Sequence, residues 1–238
     1  MSDTTLNAVA IAIFTMTLSA LLGPLFHISP LLPALGTLSV LGLVTADQLG
    51  WEGKGTNLLL SLWASPAEKQ RQLHHEAGHF FVAYYLGIPV LDYQLGAWQS
   101  FQRGQAGQAG VQFDLSGLDQ DWQTFPLQLE RWSTVLMAGI AAEQLQYDQA
   151  QGGQNDRQQL HQVFALAGLP SQQWPLKERW ALLQAKNYLQ RHASAYQNLM
   201  QAMAEGASVA ACHQVLQCSL GQDPSFLHNL PSIGNSSR

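Results

Sequence analysis

The stretch Leu73-His74-His75-Glu76-Ala77-Gly78-His79 decides how this chain is read. It contains His-Glu-x-x-His, and on a helix His75 and His79, four residues apart, project from one face about one turn apart. That spacing suits a single zinc ion: two imidazole nitrogens at roughly 2.0–2.1 Å supply two corners of a tetrahedron. A third protein ligand must come from elsewhere, and a catalytic site leaves the fourth corner to water. Glu76 falls beside that water as the candidate general base, while the metal would lower the water's pKa toward about 7 and polarise a scissile carbonyl. His74 points some 100° round the helix from His75, so solvent or a place behind the ligands is expected for it rather than ligation.

The helix carrying the motif is well marked. Ser65 reads as N-cap, Pro66 as the first helical residue and Glu68 as its capping-box partner. The apolar run 80–86 carries the helix into a core, and Gly87 with Pro89 closes it. Residues 90–95 and 110–115 then read as two short strands, separated by a Gln- and Gly-rich loop or flap over 96–109. An exposed strand edge there would either hold an extended peptide by strand addition or merely cover the helix. Pro126–Tyr147 turns helical again, with Leu129, Trp132, Val135, Leu136, Ile140 and Leu145 at three- and four-residue spacing. Ala138, Gly139, Ala141 and Ala142 allow close packing on another helix, and Glu143 ends this small-residue patch. Asn155 or Asp156 is expected to open the next helix, which runs to Gly168, and one or two amphipathic helices follow over 176–220. The polar tail 221–238 is expected to be disordered.

The N-terminal part has a different character. Residues 6–26 carry no charge and are long enough to span about 30 Å of hydrocarbon. A second apolar stretch, residues 30–49, follows a Pro-containing break, so a transmembrane helical hairpin over 1–50 is expected, with a single span as the other reading. Residues 51–64 then form a linker to a domain over 65–220. The first basic residues, Lys54, Lys69 and Arg71, follow the apolar part, which places that domain on the cytoplasmic or stromal side. A secretory signal is not expected, because no basic segment precedes the apolar run. Across all 238 residues the chain is 47% hydrophobic and 11% charged, with net charge −5 and no basic cluster, which argues against nucleic acid as a partner. Cys212 and Cys218, six apart on a helix, do not face each other and read as reduced core thiols.

For the third ligand the candidates are Glu143, Asp148, Asp156 and His161. The residues alone put Glu143 and Asp156 ahead, since both lie on or beside a helix able to pack on the motif helix; for Asp156, service as an N-cap is the competing role. At this point three blocks matter together: His75-Glu76-Ala77-Gly78-His79, Ala138-Gly139-Ile140-Ala141-Ala142-Glu143, and Gly152-Gly153-Gln154-Asn155-Asp156. They resemble the successive blocks of the protease domain of FtsH-type membrane-anchored zinc proteases, over roughly residues 66–205. The resemblance implies a mainly α, zincin-like metalloprotease domain with a small β-hairpin, Asp156 as third zinc ligand, and Glu143 and Asn155 in the surrounding shell. Two departures qualify it. The family's ATPase module is missing, with no Gly-x-x-x-x-Gly-Lys-Ser/Thr loop, and the middle block lacks Gly-Gly-Arg. The chain looks like the short, ATPase-less relatives found in cyanobacteria and plastids.

The expected function is therefore that of a membrane-anchored, ATP-independent zinc endopeptidase, with Glu76 as base and with small or unfolded membrane-associated proteins as substrates. A partner unfoldase or a homo-oligomer would fit the missing ATPase. An intramembrane protease fits less well, because Glu68, Lys69, Arg71 and His74 directly precede the motif and would be costly within a bilayer. A catalytically weak scaffold or assembly factor of protease-like fold is the non-enzyme alternative; it would have no need of Glu76.

Overall fold

A computed structural model describes residues 3–22, 65–96, 110–116 and 126–221, with isolated positions between 29 and 50. The chain divides into two compact units, Met1–Leu62 and Trp63–Arg238. The division falls inside the expected linker 51–64, which itself lies outside the described residues, as do positions 97–109 of the expected flap and 222–238 of the expected tail.

In the first unit, helix α1 (Asp3–Leu22) leaves Ile11, Ile13, Phe14 and Leu21 exposed. Thr15 and Thr17 return their hydroxyls to the carbonyls of Ile11 and Ile13, so their polar groups are satisfied within the helix. No helix among the described residues is long and apolar enough to cross a membrane, and the expected transmembrane hairpin is without support here. Its second arm falls on positions described only in part.

The second unit is mainly α-helical with one two-stranded sheet, as the periodicities require. Helix α2 (Pro66–Tyr85) begins with the full capping box: Ser65 Oγ accepts from the Glu68 amide, and the Glu68 carboxylate accepts from the Ser65 amide at 2.6 Å. Strands β1 (Val90–Gln94) and β2 (Gly110–Phe113) pair antiparallel, with Tyr93 opposite Val111 and an irregularity between Val90 and Asp92. Helix α3 (Pro126–Tyr147) packs along α2. Their crossing is close because Gly78 has no side chain: a Cβ there would stand 2.6 Å from the Ala138 carbonyl oxygen. Phe80 and Phe81 from α2 and Val135, Met137 and Ile140 from α3 are fully buried around this crossing. Each such side chain contributes roughly 1.5–3 kcal/mol, so the crossing is the rigid centre of the unit.

Helix α4 (Gln154–Leu166) follows a turn whose Gly153 adopts φ 88°, a left-handed conformation that a side chain would strain. Asn155 and Asp156 lie in the first turn, at the start of the helix as expected, and because Gly153 is the N-cap, Asp156 does not take that competing role. After a 3₁₀ turn at Ser171–Gln173, three helices follow where one or two were expected: α5 (Trp174–Arg191), α6 (Ala193–Ala204) and α7 (Val209–Gly221). His192 separates α5 from α6, buried against Phe81 and Tyr85 with φ −117° and ψ 40°, outside the helical range. The two cysteines are unpaired, Cys212 buried as expected but Cys218 exposed on α7.

Candidate metal centre

The α2–α3 crossing brings the motif residues onto one wall of a cavity of about 550 Å³, with the Gly152–Asp156 turn opposite. His75 Nε2 lies 3.0 Å from Asp156 Oδ2 and 3.1 Å from His79 Nε2, and His79 Nε2 lies 3.5 Å from the same carboxylate oxygen. Three ligands at 2.0–2.1 Å in tetrahedral array stand about 3.3 Å apart, so this triangle has the size a zinc-like ion requires. His75, His79 and Asp156 form the group of His, Cys and carboxylate residues, among the described residues, that could hold a metal ion.

What faces the triangle keeps it open. Gly139 of α3 lies beneath both imidazoles, and a Cβ there would come within 2.5 Å of His75 Nε2 and His79 Nε2. What lies behind the imidazoles orients them. His79 Nδ1 is 2.8 Å from the Val135 carbonyl, which can only accept, so the proton belongs on Nδ1 and Nε2 is free to ligate. His75 Nδ1 is likewise 2.8 Å from Glu143 Oε1. A histidine–carboxylate pair of this kind fixes the ring and strengthens it as a donor to metal.

Glu143 is itself held on every side. Its Oε2 accepts from Arg71 Nη1 at 3.2 Å and from the Gln151 amide at 2.9 Å. The amide of Gly152 adds a longer contact at 3.5 Å, on a residue whose Cβ would stand 2.7 Å from Glu143 Oε1. Arg71 also donates to the Gln149 carbonyl at 2.9 Å and lies over the Tyr147 ring, 4.1 Å from its centroid. Burial pushes the Glu143 carboxyl up, but His75, the Gln151 amide and Arg71 outweigh it and hold the pKa at about 2.

The remaining ionisable groups follow the same logic. Burial opposes charge on His75, yet its hydrogen bonds to Asp156 and Glu143, helped by Glu76, raise the pKa to about 10. Metal binding at Nε2 has to displace that proton. Asp156 is held below the ordinary carboxylate range: burial works against this, and the two imidazoles overcome it. Glu76 is shifted upward, chiefly by burial; its carboxylate accepts from the Val111 amide of β2 and lines the same cavity. A carboxylate that is buried, reachable from the cavity and shifted upward is suited to take up a proton.

Every residue expected at the centre is therefore brought there or beside it. Glu143 stands behind His75 rather than at the metal triangle, and Asn155 lines the cavity, exposed, next to Asp156. Of the other third-ligand candidates, His161 lies instead against Glu178, 3.3 Å away, and Asp148 is an exposed residue with φ 60° at the end of α3. His74 is neither in solvent nor behind the ligands: it is buried with Nδ1 3.2 Å from the Tyr196 hydroxyl. Arg71 at the site was not expected from residue types and spacing. The signal was present, since Arg71 precedes His75 by four residues and so lies on its face of the helix. The Val135 carbonyl and the Val111 amide, being backbone groups, left no mark on residue type.

Comparison with family models, with curated proteins and with solved structures finds no match to the chain.

Proposed function

We propose that this chain is an ATP-independent zinc endopeptidase of the FtsH-like kind, attached to a membrane through residues 1–50. The observation that carries the reading is the convergence of His75, His79 and Asp156 on a triangle of tetrahedral size, with the buried, upward-shifted carboxylate of Glu76 in the same cavity. Zinc at that triangle would supply Lewis-acid polarisation of a carbonyl and a lowered pKa for water. Glu76 would take a proton from the attacking water and return it to the leaving nitrogen. Its bond from the Val111 amide aims the carboxylate while leaving it within the cavity.

The cavity also favours an extended, partly apolar substrate. Strand β2 lines it through Gly110, Val111 and Phe113, and Phe113 meets Trp132 edge-on with ring centroids 5.1 Å apart. A peptide lying along that strand would gain main-chain hydrogen bonds and rest an apolar side chain on these rings. Substrates that are small or already unfolded suit such a strand edge, because they can lie along it extended. Membrane attachment rests on the uncharged run 6–26 and on the exposed apolar side chains of α1.

The test is zinc content together with hydrolysis of casein, measured on wild type, Glu76→Gln and Asp156→Ala in detergent. The expected result is one zinc per chain in wild type and Glu76→Gln, weakened zinc in Asp156→Ala, and a loss of hydrolysis in Glu76→Gln of about 10²–10⁴-fold. Full zinc with no hydrolysis in wild type would favour the scaffold reading, and absence of zinc would remove the metal centre.

A further inference from the structure

Helix α5 carries an outward face that the metal centre does not use. Leu176, Trp180 and Leu183 are 70%, 50% and 50% exposed, on a helix whose inner face buries Ala181, Ala185 and Leu189. At 100° per residue the three exposed side chains fall within roughly 60° of one another, a single apolar stripe. Both borders of the stripe are basic. Arg179 and Lys186 flank one side, and Arg191 and Lys177 flank the other. The helix's one acidic residue, Glu178, points the opposite way and is taken up by Arg157 at 2.9 Å and His161 at 3.3 Å. Lys177 pairs with Glu130 at 3.3 Å, which leaves Arg179, Lys186 and Arg191 as the cations bordering the stripe outside any ion pair among the described residues.

We propose that this face of α5 docks on an anionic lipid surface, with Trp180 and the two leucines at the level of the headgroups. Charge carries the choice of partner. The chain as a whole is net −5, yet this helix holds four of its eleven lysines and arginines. An interfacial helix has this arrangement: an apolar stripe with Trp, bordered by long basic side chains whose stems lie along the hydrocarbon while their charges reach the phosphates. Each basic residue close to an anionic leaflet strengthens binding roughly fivefold, so three act together even though the apolar stripe is short. The inference is independent of peptide hydrolysis. It concerns how the unit Trp63–Arg238 is held against a leaflet, whatever the cavity does.

The test uses the full chain reconstituted in vesicles of phosphatidylcholine alone or mixed with phosphatidylglycerol, each containing brominated acyl chains. Subtracting the fluorescence of Trp180→Phe from that of wild type isolates Trp180 from the chain's other tryptophans. The expected result is that bromolipid quenches the Trp180 signal in the anionic vesicles at least about fivefold more strongly than in the neutral ones. Quenching is expected to disappear in Arg179→Gln/Lys186→Gln/Arg191→Gln and in Leu183→Ser, with far-UV circular dichroism unchanged; the two variants separate charge from apolar contact. A Trp180 signal unquenched in both vesicles, or quenched equally in both, overturns the proposal. So does a signal that ignores bromolipid but becomes shielded as chain concentration rises, which would assign the face to a second copy of the chain.

Discussion

Two histidine–carboxylate–arginine groups lie among the described residues, and they differ in nearly everything but composition. At the α2–α3 crossing, His75 meets Asp156 and Glu143, with Arg71 behind Glu143; between α4 and α5, His161 and Arg157 share Glu178. The side chains of the first group are 13%, 17%, 2% and 21% exposed for His75, Asp156, Glu143 and Arg71, whereas His161 and Arg157 are 41% and 40% exposed. Burial makes the first group's electrostatics strong enough to move its pKa values by whole units. Convergence matters as much as burial. The first group brings a second imidazole and a glycine-cleared space to the same point, while the second has one imidazole, tilted against the Trp174 ring. Ligand-type residues in proximity are not enough for a group that could hold a metal ion; a vacated volume with lone pairs aimed into it is also needed.

The sharpest way to break that comparison is to fill the volume. Gly139→Ala places a methyl within 2.5 Å of Nε2 of both His75 and His79, and neither ring can yield without losing its hydrogen bond to Glu143 or Val135. Metal binding is expected to be abolished, read as zinc content by atomic absorption, with helicity kept because alanine favours the helix. Zinc retained in this variant would show that the triangle is not the site. Next in size is Glu143→Gln, which keeps an acceptor for His75 Nδ1 but removes the charge. Metal affinity is expected to fall about 10–100-fold in a competition titration with a chelator.

A third test uses pH. The ordinary glutamate pKa is 4.5, and that of Glu76 is shifted above it by burial. A general base works only when ionised, so hydrolysis is expected to be lost as pH falls through a value above 4.5. Glu143 titrates in the opposite sense: its folded pKa of about 2 lies below 4.5, so its stabilisation is present above 4.5 and is lost as pH falls toward 2. Activity should therefore disappear at a higher pH than folding does, followed by casein hydrolysis and circular dichroism on the same samples. Coincident loss of both would mean that the acid limb reports unfolding.

How much of this was legible in the sequence depends on whether a feature is local. The bounds of α2 were readable because Ser65, Pro66 and Glu68 satisfy the helix's free amides through their own side chains, and those of α3 because its apolar spacing keeps the helical period. The approach of His75 to His79 followed from one turn of helix. Asp156 was narrowed by residue type and then picked out by resemblance, and its freedom to ligate depends on Gly153 serving as N-cap in a left-handed conformation, a backbone choice that residue type only permits. The break at His192 was unreadable, since no Gly or Pro marks it and its cause is packing on Phe81 and Tyr85 from a distant helix. Exposed Cys218 and buried His74 failed for a related reason: which face of a helix is covered is decided by neighbours far along the chain.

The smallest expected effect comes from the second group, and it carries the comparison to its limit. Glu178→Gln removes the charged partner of Arg157 and His161 but leaves both side chains free to turn into water, because each is about two-fifths exposed. No buried charge is stranded, so the loss should be that of an exposed pair, about 0–1 kcal/mol in urea unfolding. Zinc content and hydrolysis should not change at all. Had Glu178 served as a distant support for Asp156 through Arg157, metal affinity would fall with it, and the two groups would have to be treated as one network. The route between them is a single turn of α4, where Arg157 directly follows Asp156; neighbours in sequence on a helix point about 100° apart, so side-chain coupling along that turn is weak.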